Sequence, residues 1–424
     1  MTILLVCHSV GDTEVLAEVA RCLLRRGIEE EICLFTVGQA AKRMLSALPA
    51  ADTLLNPRVK VHHLSEVIGD EPMRAVENAS LEGDLLERLQ KYLDGIAISR
   101  VLVGAPSQFD AAVPYQIAEY LSPRVQAGAG ISITYPFLAE AFFLWKALLP
   151  LKSEWFNHYI WFFPFLKAAA IAQRYCADLP IEVTGHPAVD KALESLPDPA
   201  KVAATRVDLE VVPGKILLFV SGSKLVKEDH TLVRELLLLL ENRDDIELRL
   251  GLHPGMNDAQ LVAYIDAMSI LIAECAEKPI YRAIKITASS AIHERLASLA
   301  ARGSAIDARY ILSKSISGDD SATAAQGVAS SALATLGMQR AAQGAPVYCH
   351  DESITPFVDS PPYPLFHGGR NIGLFVEYLT KSSAAGATAR VPVAAERQSA
   401  IEIMADRLTG KLPDDSPVAA MARK

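Results

Sequence analysis

The feature that most restricts this chain is a pattern that occurs twice. Thr2–Cys7 and Lys215–Val220 are short apolar runs, each leading into a small polar loop with a glycine and then a helix. A strand that is apolar along its length has both faces covered, as a parallel strand between helix layers does. Parallel strands need crossover connections, so each run opens an α/β half. Between the halves lies Ile181–Asp190, Ile-Glu-Val-Thr-Gly-His-Pro-Ala-Val-Asp. Ile181–Thr184 alternates like a strand, and Gly185-His186-Pro187 breaks it, because glycine tolerates unusual dihedrals and proline cannot continue a ladder. Leu196–Gly214 then reads as a Pro- and Lys-containing linker. The expected domains are 1–190 and 191–380, followed by a tail, 381–424, with one helix over Ala394–Leu408. Function is expected in a cleft between the two halves.

Bulk properties narrow the class. With 424 residues, 50% hydrophobic and 21% charged, the chain can fill more than one core. A net charge of −9 argues against a nucleic-acid partner. The six cysteines (Cys7, Cys22, Cys33, Cys176, Cys275, Cys349) are scattered without a C-x-x-C pair, as expected of core thiols in a reducing cytoplasm. Ile3–Val6 is too short, and lacks the basic lead, for a signal peptide. No window holds the roughly 20 apolar residues that span a bilayer. The expectation is a cytoplasmic protein.

In the first half, Val15, Val19, Leu23 and Leu24 recur at helical spacing after the turn His8–Thr13, and Gly27 ends that helix. Glu31–Val37, Val59–Leu64 and Arg100–Ala105 read as strands, with helices over Leu81–Leu93 and Pro114–Tyr120. Open α/β sheets bind ligands beyond the carboxyl ends of their strands. Two carboxylates stand at such ends. Asp12, in the Gly11-Asp12-Thr13 turn, is a candidate general base or a helix N-cap. Asp110, after Pro106-Ser107-Gln108-Phe109, is a second candidate base or a solvated cap. Tyr135–Tyr175 holds all three tryptophans, Trp145, Trp155 and Trp161. It reads either as a membrane-interface surface over residues 137–165 or as helix packing followed by a buried strand, Tyr159–Phe163.

In the second half, Ser221-Gly222-Ser223-Lys224 precedes a helix whose Leu232, Leu236, Leu239 and Leu240 are read onto one face. A small Gly/Ser loop at a helix N-terminus forms an anion site, and Lys224 adds a fixed positive charge. The spacing is not that of a Walker loop. The strand Ile246–Leu252 leads to His253-Pro254-Gly255, where His253 either donates to a diphosphate or ribose or is structural. Lys285–Ser289 reads as a short strand and Ser317–Ala325 as a loop. Ser330-Ser331 opens a helical stretch, Ala332–Gln343, before the strand Val347–Cys349. Those two hydroxyls suit phosphate, ribose or simple capping. Arg370, ahead of the helix Ile372–Leu379, is a further phosphate candidate.

These motifs, in this order, resemble a family. Gly11-Asp12-Thr13, Val101–Phe109, Phe163-Pro164-Phe165, Val183–Asp190 and Gly222-Ser223-Lys224 together resemble lipid-A-disaccharide synthase, and more broadly GT-B glycosyltransferases and UDP-N-acetylglucosamine 2-epimerases, over roughly residues 1–350. Leu252-His253-Pro254, and Ser330-Ser331 followed by Gly344–Val347, look like motifs of GT-B enzymes with cytidine-nucleotide donors. The resemblance implies two Rossmann-like α/β domains facing a central cleft. It implies a nucleotide-sugar donor, UDP- or CMP/CDP-type, held by the second domain through Ser223, Lys224, His253, Ser330 and Ser331, with the acceptor on the first. The expected reaction is inverting transfer to a hydroxyl, with Asp12 or Asp110 taking the proton. No Asp-x-Asp is present, so neither metal nor cofactor is called for. An epimerase or hydrolase of the same fold, or a non-catalytic relative, are the other readings. In such a transfer the aromatic block would seat the protein on the inner membrane near a lipid-linked acceptor.

Overall fold

A computed structural model of the chain describes residues 1–46, 48–49, 51–70, 80–105, 113–124, 130–133, 154–164, 166–175, 177–194, 197–274, 277–332, 334–351, 365–384 and 398–410. The chain divides into two units. One comprises Met1–Asp190 with Glu396–Lys424, and the other Lys191–Thr355 with Ser360–Ala395.

The first unit is built on a parallel sheet of β1 (Thr2–Cys7), β2 (Glu31–Thr36), β3 (Val59–His63), β4 (Ile98–Ala105), β5 (Gly130–Ile133), β6 (Ile160–Phe163) and β7 (Ile181–Val183). Their order across the sheet is β3-β2-β1-β4-β5-β6-β7. β1 lies inside the sheet, between β2 and β4, and is buried along its whole length, so its continuous apolar run is explained by helices on both faces. One core layer holds Leu4, Val6, Val101 and Val103; the other holds Ile3, Leu5 and Leu102. That split is the two-residue alternation of a strand seen from both sides.

The described part of the aromatic block belongs to this core. Trp155, Phe156, Tyr159, Trp161 and Phe163 are buried in one layer, and Trp161 donates its indole N–H to Phe156 O at 3.1 Å. Trp145 and residues 137–153 lie outside the described residues.

The tail contributes the helix Ala400–Thr409, opened by a Ser399–Glu402 capping box. Met404, Ala405 and Leu408 pack into the layer that holds Leu16 and Leu23 of the first helix, Val10–Arg25. Arg407 pairs bidentately with Glu182 of β7, at 2.6 and 2.9 Å, and Asp190 accepts the Ala400 amide at 2.8 Å. The turn at Gly185-His186-Pro187 is thus tied to the tail.

The second unit has a parallel sheet of β8 (Ile216–Ser221), β9 (Ile246–Gly251), β10 (Lys285–Thr287), β11 (Gly327–Ser330), β12 (Val347–Cys349) and β13 (Leu365–His367), in the order β10-β9-β8-β11-β12-β13. Three features depart from the sequence reading. The expected linker contains a helix, Pro199–Asp208, begun by Asp198, whose carboxylate accepts the Ala200 amide, with proline at its first position. The expected loop at Ser317–Ala325 is a short helix, Gly318–Ala324, capped by Ser317. Leu239 is exposed, and Leu237 takes its place on the buried face of the helix Val226–Leu240. β5, β11 and β13 were not anticipated; each is three or four residues long, and the burial that holds β11 comes wholly from its neighbours.

Candidate functional site

In the second unit the site residues gather where three strands end. β8 pairs with β9 through Ser221 and Gly251, and with β11 through Ser221 and Ser330. The loops that follow these three strands therefore emerge side by side.

The first loop passes hard against the end of β9. Gly222 N–H donates to Gly251 O at 3.0 Å, and a Cβ at Gly222 would lie 2.1 Å from that oxygen. Only glycine fits there. Ser223 follows, and its position is set by a residue the motif reading passed over. Asp229, in the first turn of the helix Val226–Leu240, turns back on its own loop. One carboxylate oxygen accepts Ser223 N–H at 2.7 Å, and the other accepts the Ser223 hydroxyl at 3.0 Å and the Ser331 hydroxyl at 2.5 Å. The Asp229 side chain is wholly buried. Burial pushes its carboxyl above the usual range, against the pull of the hydrogen bonds from Ser331 and Ser223. The sequence does carry a trace of this role: Asp229 stands three and seven residues before Leu232 and Leu236, on the apolar face of its helix.

Ser331 enters this group from β11, and Asp351 N–H holds its carbonyl at 3.0 Å. Ser330 is buried, with its hydroxyl beside the Cys349 thiol, whose pKa burial pushes up to about 12.

His253 comes from the loop after β9. Its Nδ1 accepts Gly255 N–H at 2.9 Å, which places the ring proton on Nε2. Burial, followed by the charge of Lys224, lowers its pKa to about 4. The ring is therefore a neutral donor at physiological pH. Lys224 is exposed, and its stem meets His253 over Gly255: a Cβ there would lie 2.8 Å from Lys224 Cε and 3.0 Å from His253 Cε1. Gln260 Nε2 donates to Lys224 O at 3.1 Å and steadies the same loop. Lys224, His253, Ser223 and Ser331 thus form one group at the carboxyl edge of the sheet, beside a helix N-terminus. Arg370 does not join it. It is exposed in the 3₁₀ turn Gly369–Asn371 after β13, with β12 between that strand and β11.

In the first unit the helix begins at Val10, so Gly11 lies within its first turn rather than in the preceding loop. Asp12 accepts His8 N–H at 2.8 Å, Ser9 N–H at 2.6 Å and the Ser9 hydroxyl at 2.5 Å. Like Asp229, it is a wholly buried carboxylate that closes the loop after the first strand of its sheet. Burial raises its pKa, and the neighbouring His8 opposes the rise. Gly104 of β4 makes the room, since a Cβ there would lie 2.3 Å from Asp12 Oδ2. His8, buried beside this carboxylate, is a second residue the motif reading missed. Asp110 lies outside the described residues. His186 repeats the device of His253, its Nδ1 accepting Ala188 N–H at 3.1 Å after Gly185 at φ +87°.

Among the described residues no group of three or more His, Cys, Asp or Glu side chains could hold a metal ion, and no helix is long and apolar enough to cross a membrane.

No family model matches the sequence, and no curated protein does. Solved structures do match. A glycosyltransferase from Rickettsia africae superposes with a TM-score of 0.57 at 10% identity, covering 100% of this chain and 97% of its own. Sucrose-phosphate synthase from Thermosynechococcus elongatus gives 0.55 at 11%, covering 100% and 98%. The UDP-GlcNAc 2-epimerase of Neisseria meningitidis, solved bound to UDP-GlcNAc, gives 0.52 at 11%, covering 97% and 100%. With the two parallel sheets already described, this likeness over the whole length assigns the chain the α/β GT-B fold shared by such glycosyltransferases and epimerases.

Proposed function

We propose that the chain is a glycosyltransferase that moves a sugar from a nucleotide-sugar donor to an acceptor hydroxyl, with inversion and without a metal ion. The observation that carries this reading is the meeting of Lys224 and the His253 Nε2–H beside the N-terminus of the helix Val226–Leu240. A leaving nucleoside diphosphate needs this combination: a fixed positive charge, a neutral donor and a helix terminus with unsatisfied N–H groups. The solved structures of this fold include a transferase and an epimerase bound to UDP-GlcNAc, which supports a uridine nucleotide as donor, while the cytidine alternative rests on the resemblance of Leu252-His253-Pro254 and Ser330-Ser331.

In the proposed step the acceptor oxygen bonds to the anomeric carbon as the bond to the diphosphate breaks. The hydroxyl proton passes to Asp110 or to the His8–Asp12 pair. Residues 1–190 would bind the acceptor and residues 191–380 the donor, with Ser330 and Arg370 as outlying donor contacts. The resemblance to lipid-A-disaccharide synthase favours a lipid or polysaccharide precursor as acceptor, reached from the cytoplasmic side of the inner membrane through residues 137–151, ahead of the aromatic residues buried in the core.

A thermal-shift panel of UDP, CMP, CDP, GDP and TDP, each with and without its common sugar, tests the reading. A ligand that binds only the folded state raises Tm by mass action. Stabilisation by one nucleotide, lost in Lys224→Ala and His253→Ala, is the expected result. No shift from any of them refutes it. Release of nucleotide only with an acceptor present separates transfer from epimerisation.

A further inference from the structure

Of the partners that the motif reading offered these serines, phosphate or ribose, their hydrogen bonding suits only the second. A serine hydroxyl has one proton and two lone pairs. The protons of Ser223 and Ser331 both point at Asp229, at 3.0 and 2.5 Å, while Ser223 N–H occupies its other oxygen at 2.7 Å. Ser223 Oγ also accepts Leu225 N–H at 2.9 Å. One lone pair of Ser223 is left, and that side chain is only half-buried. A phosphate oxygen is itself an acceptor and finds no proton there. Turning either hydroxyl outward would strip a donor from a carboxylate with no solvent contact.

The matching partner for such a lone pair is a ligand O–H. We infer that Ser223, held by Asp229 and backed by Ser331 at 3.2 Å, accepts a hydrogen bond from a ribose hydroxyl of the bound nucleotide, and that the phosphates fall to Lys224, His253 and the helix terminus. Asp229 is then a positioning residue, which fixes the direction of the Ser223 proton without touching the ligand. This inference rests on the nucleotide-sugar reading and adds to it the means by which the site tells ribose from deoxyribose.

Calorimetric titration of the full chain tests it, with UDP and CDP, their 2′-deoxy and 3′-deoxy analogues, and inorganic pyrophosphate as probes. Removing one ribose hydroxyl is expected to weaken binding to the wild type by about tenfold, because Ser223 is left without its donor. Ser223→Ala should bind ribo and deoxy forms alike and keep its pyrophosphate affinity. Asp229→Asn places an N–H₂ where an acceptor stood, frees a serine proton, and should narrow the same ratio. Each ratio compares two ligands on one protein, so a loss of stability in a variant does not mimic the effect. Equal binding of ribo and deoxy forms to the wild type overturns the inference while leaving the nucleotide reading intact. So does a Ser223→Ala variant that loses pyrophosphate but keeps the ribose preference. A wild type that binds none of the probes overturns both.

Discussion

Asp229 and Ser331 are separated by 102 residues in the chain and by 2.5 Å in the fold. Their contact joins the first turn of the helix Val226–Leu240 to the loop after β11, and makes one group of two motifs that are separate in the sequence. The carboxylate that makes the join is hidden from ligand and solvent alike, so its part in any reaction is to hold other groups in place. Removing it should be felt first as instability. Asp229→Ala leaves the Ser223 N–H and two hydroxyls short of a partner, and is expected to cost about 2–4 kcal/mol in urea unfolding. A loss below about 1 kcal/mol would mean that the loops hold together without it.

His253 sets a pH signature. Its folded pKa of about 4 lies below the ordinary histidine value. Between the two, the unfolded chain binds more protons, so this group's contribution to stability rises with pH across that window and is lost as pH falls towards 4. The raised carboxyls of Asp12 and Asp229 act with the opposite sign, their contributions falling as pH rises through their folded pKa values. The difference in stability between wild type and His253→Asn isolates the histidine, and should grow from pH 4 to the ordinary histidine range and then level off. An NMR titration giving His253 a pKa near 6.5 would contradict the assignment.

Two glycines separate folding from binding. At Gly222 a Cβ would meet the backbone oxygen of Gly251, which cannot move without breaking the end of β9. At Gly255 it would meet the tip of Lys224 and the edge of the His253 ring. Gly222→Ala is therefore expected to destabilise the protein by about 3 kcal/mol or more, as overpacking at its upper end does. Gly255→Ala should keep most of the stability and weaken nucleotide binding by displacing both donors. Thermal melts with and without nucleotide distinguish the two outcomes.

The tail helix is held by charge as well as packing. The Arg407 side chain is 2% exposed and pairs with Glu182 through Nε and Nη2. Arg407→Ala removes two charge-assisted hydrogen bonds to Glu182, which keeps some solvent contact, and should cost about 2 kcal/mol. Limited proteolysis near residue 398 should then quicken, because the helix loses its tie to β7.

Arg249 is a second buried cation, and its work is structural. It donates to Leu209 O at 2.7 Å and Ala283 O at 2.7 Å, at the ends of the helices Pro199–Asp208 and Pro279–Arg282, and to Glu247 at 2.9 Å. Lysine cannot span these acceptors, since it lacks the planar fork. Arg249→Lys is expected to cost about 2–4 kcal/mol in denaturant unfolding, with leftover carbonyls and Glu247 accounting for it.

Much of the fold can be read from composition and period. β1 and β12 are found where the apolar runs end, and β2, β4, β8 and β9 lie within two residues of them, because strands buried on both faces leave an unbroken hydrophobic record. β11, Gly-Val-Ala-Ser, leaves none, since its burial is supplied by β8 and β12 and by the helices that cover them. The helix Pro199–Asp208 is likewise masked by its proline and by Lys201, which suit a linker equally well. At the site, the loop glycines, Lys224 and His253 were visible as residues, but not the direction of any proton. Local spacing determined that a small loop and a histidine would each follow a strand, and it set the pair of serines at a helix start, whereas Ser330 ends β11. Only the tertiary structure decided that Asp229 would bind both serines, that Gly255 would bring Lys224 against His253, and that Arg370 would stand apart. A strand's carboxyl end is a property of the chain; which loops share that edge depends on strand order, and strand order is set by packing between residues distant in sequence.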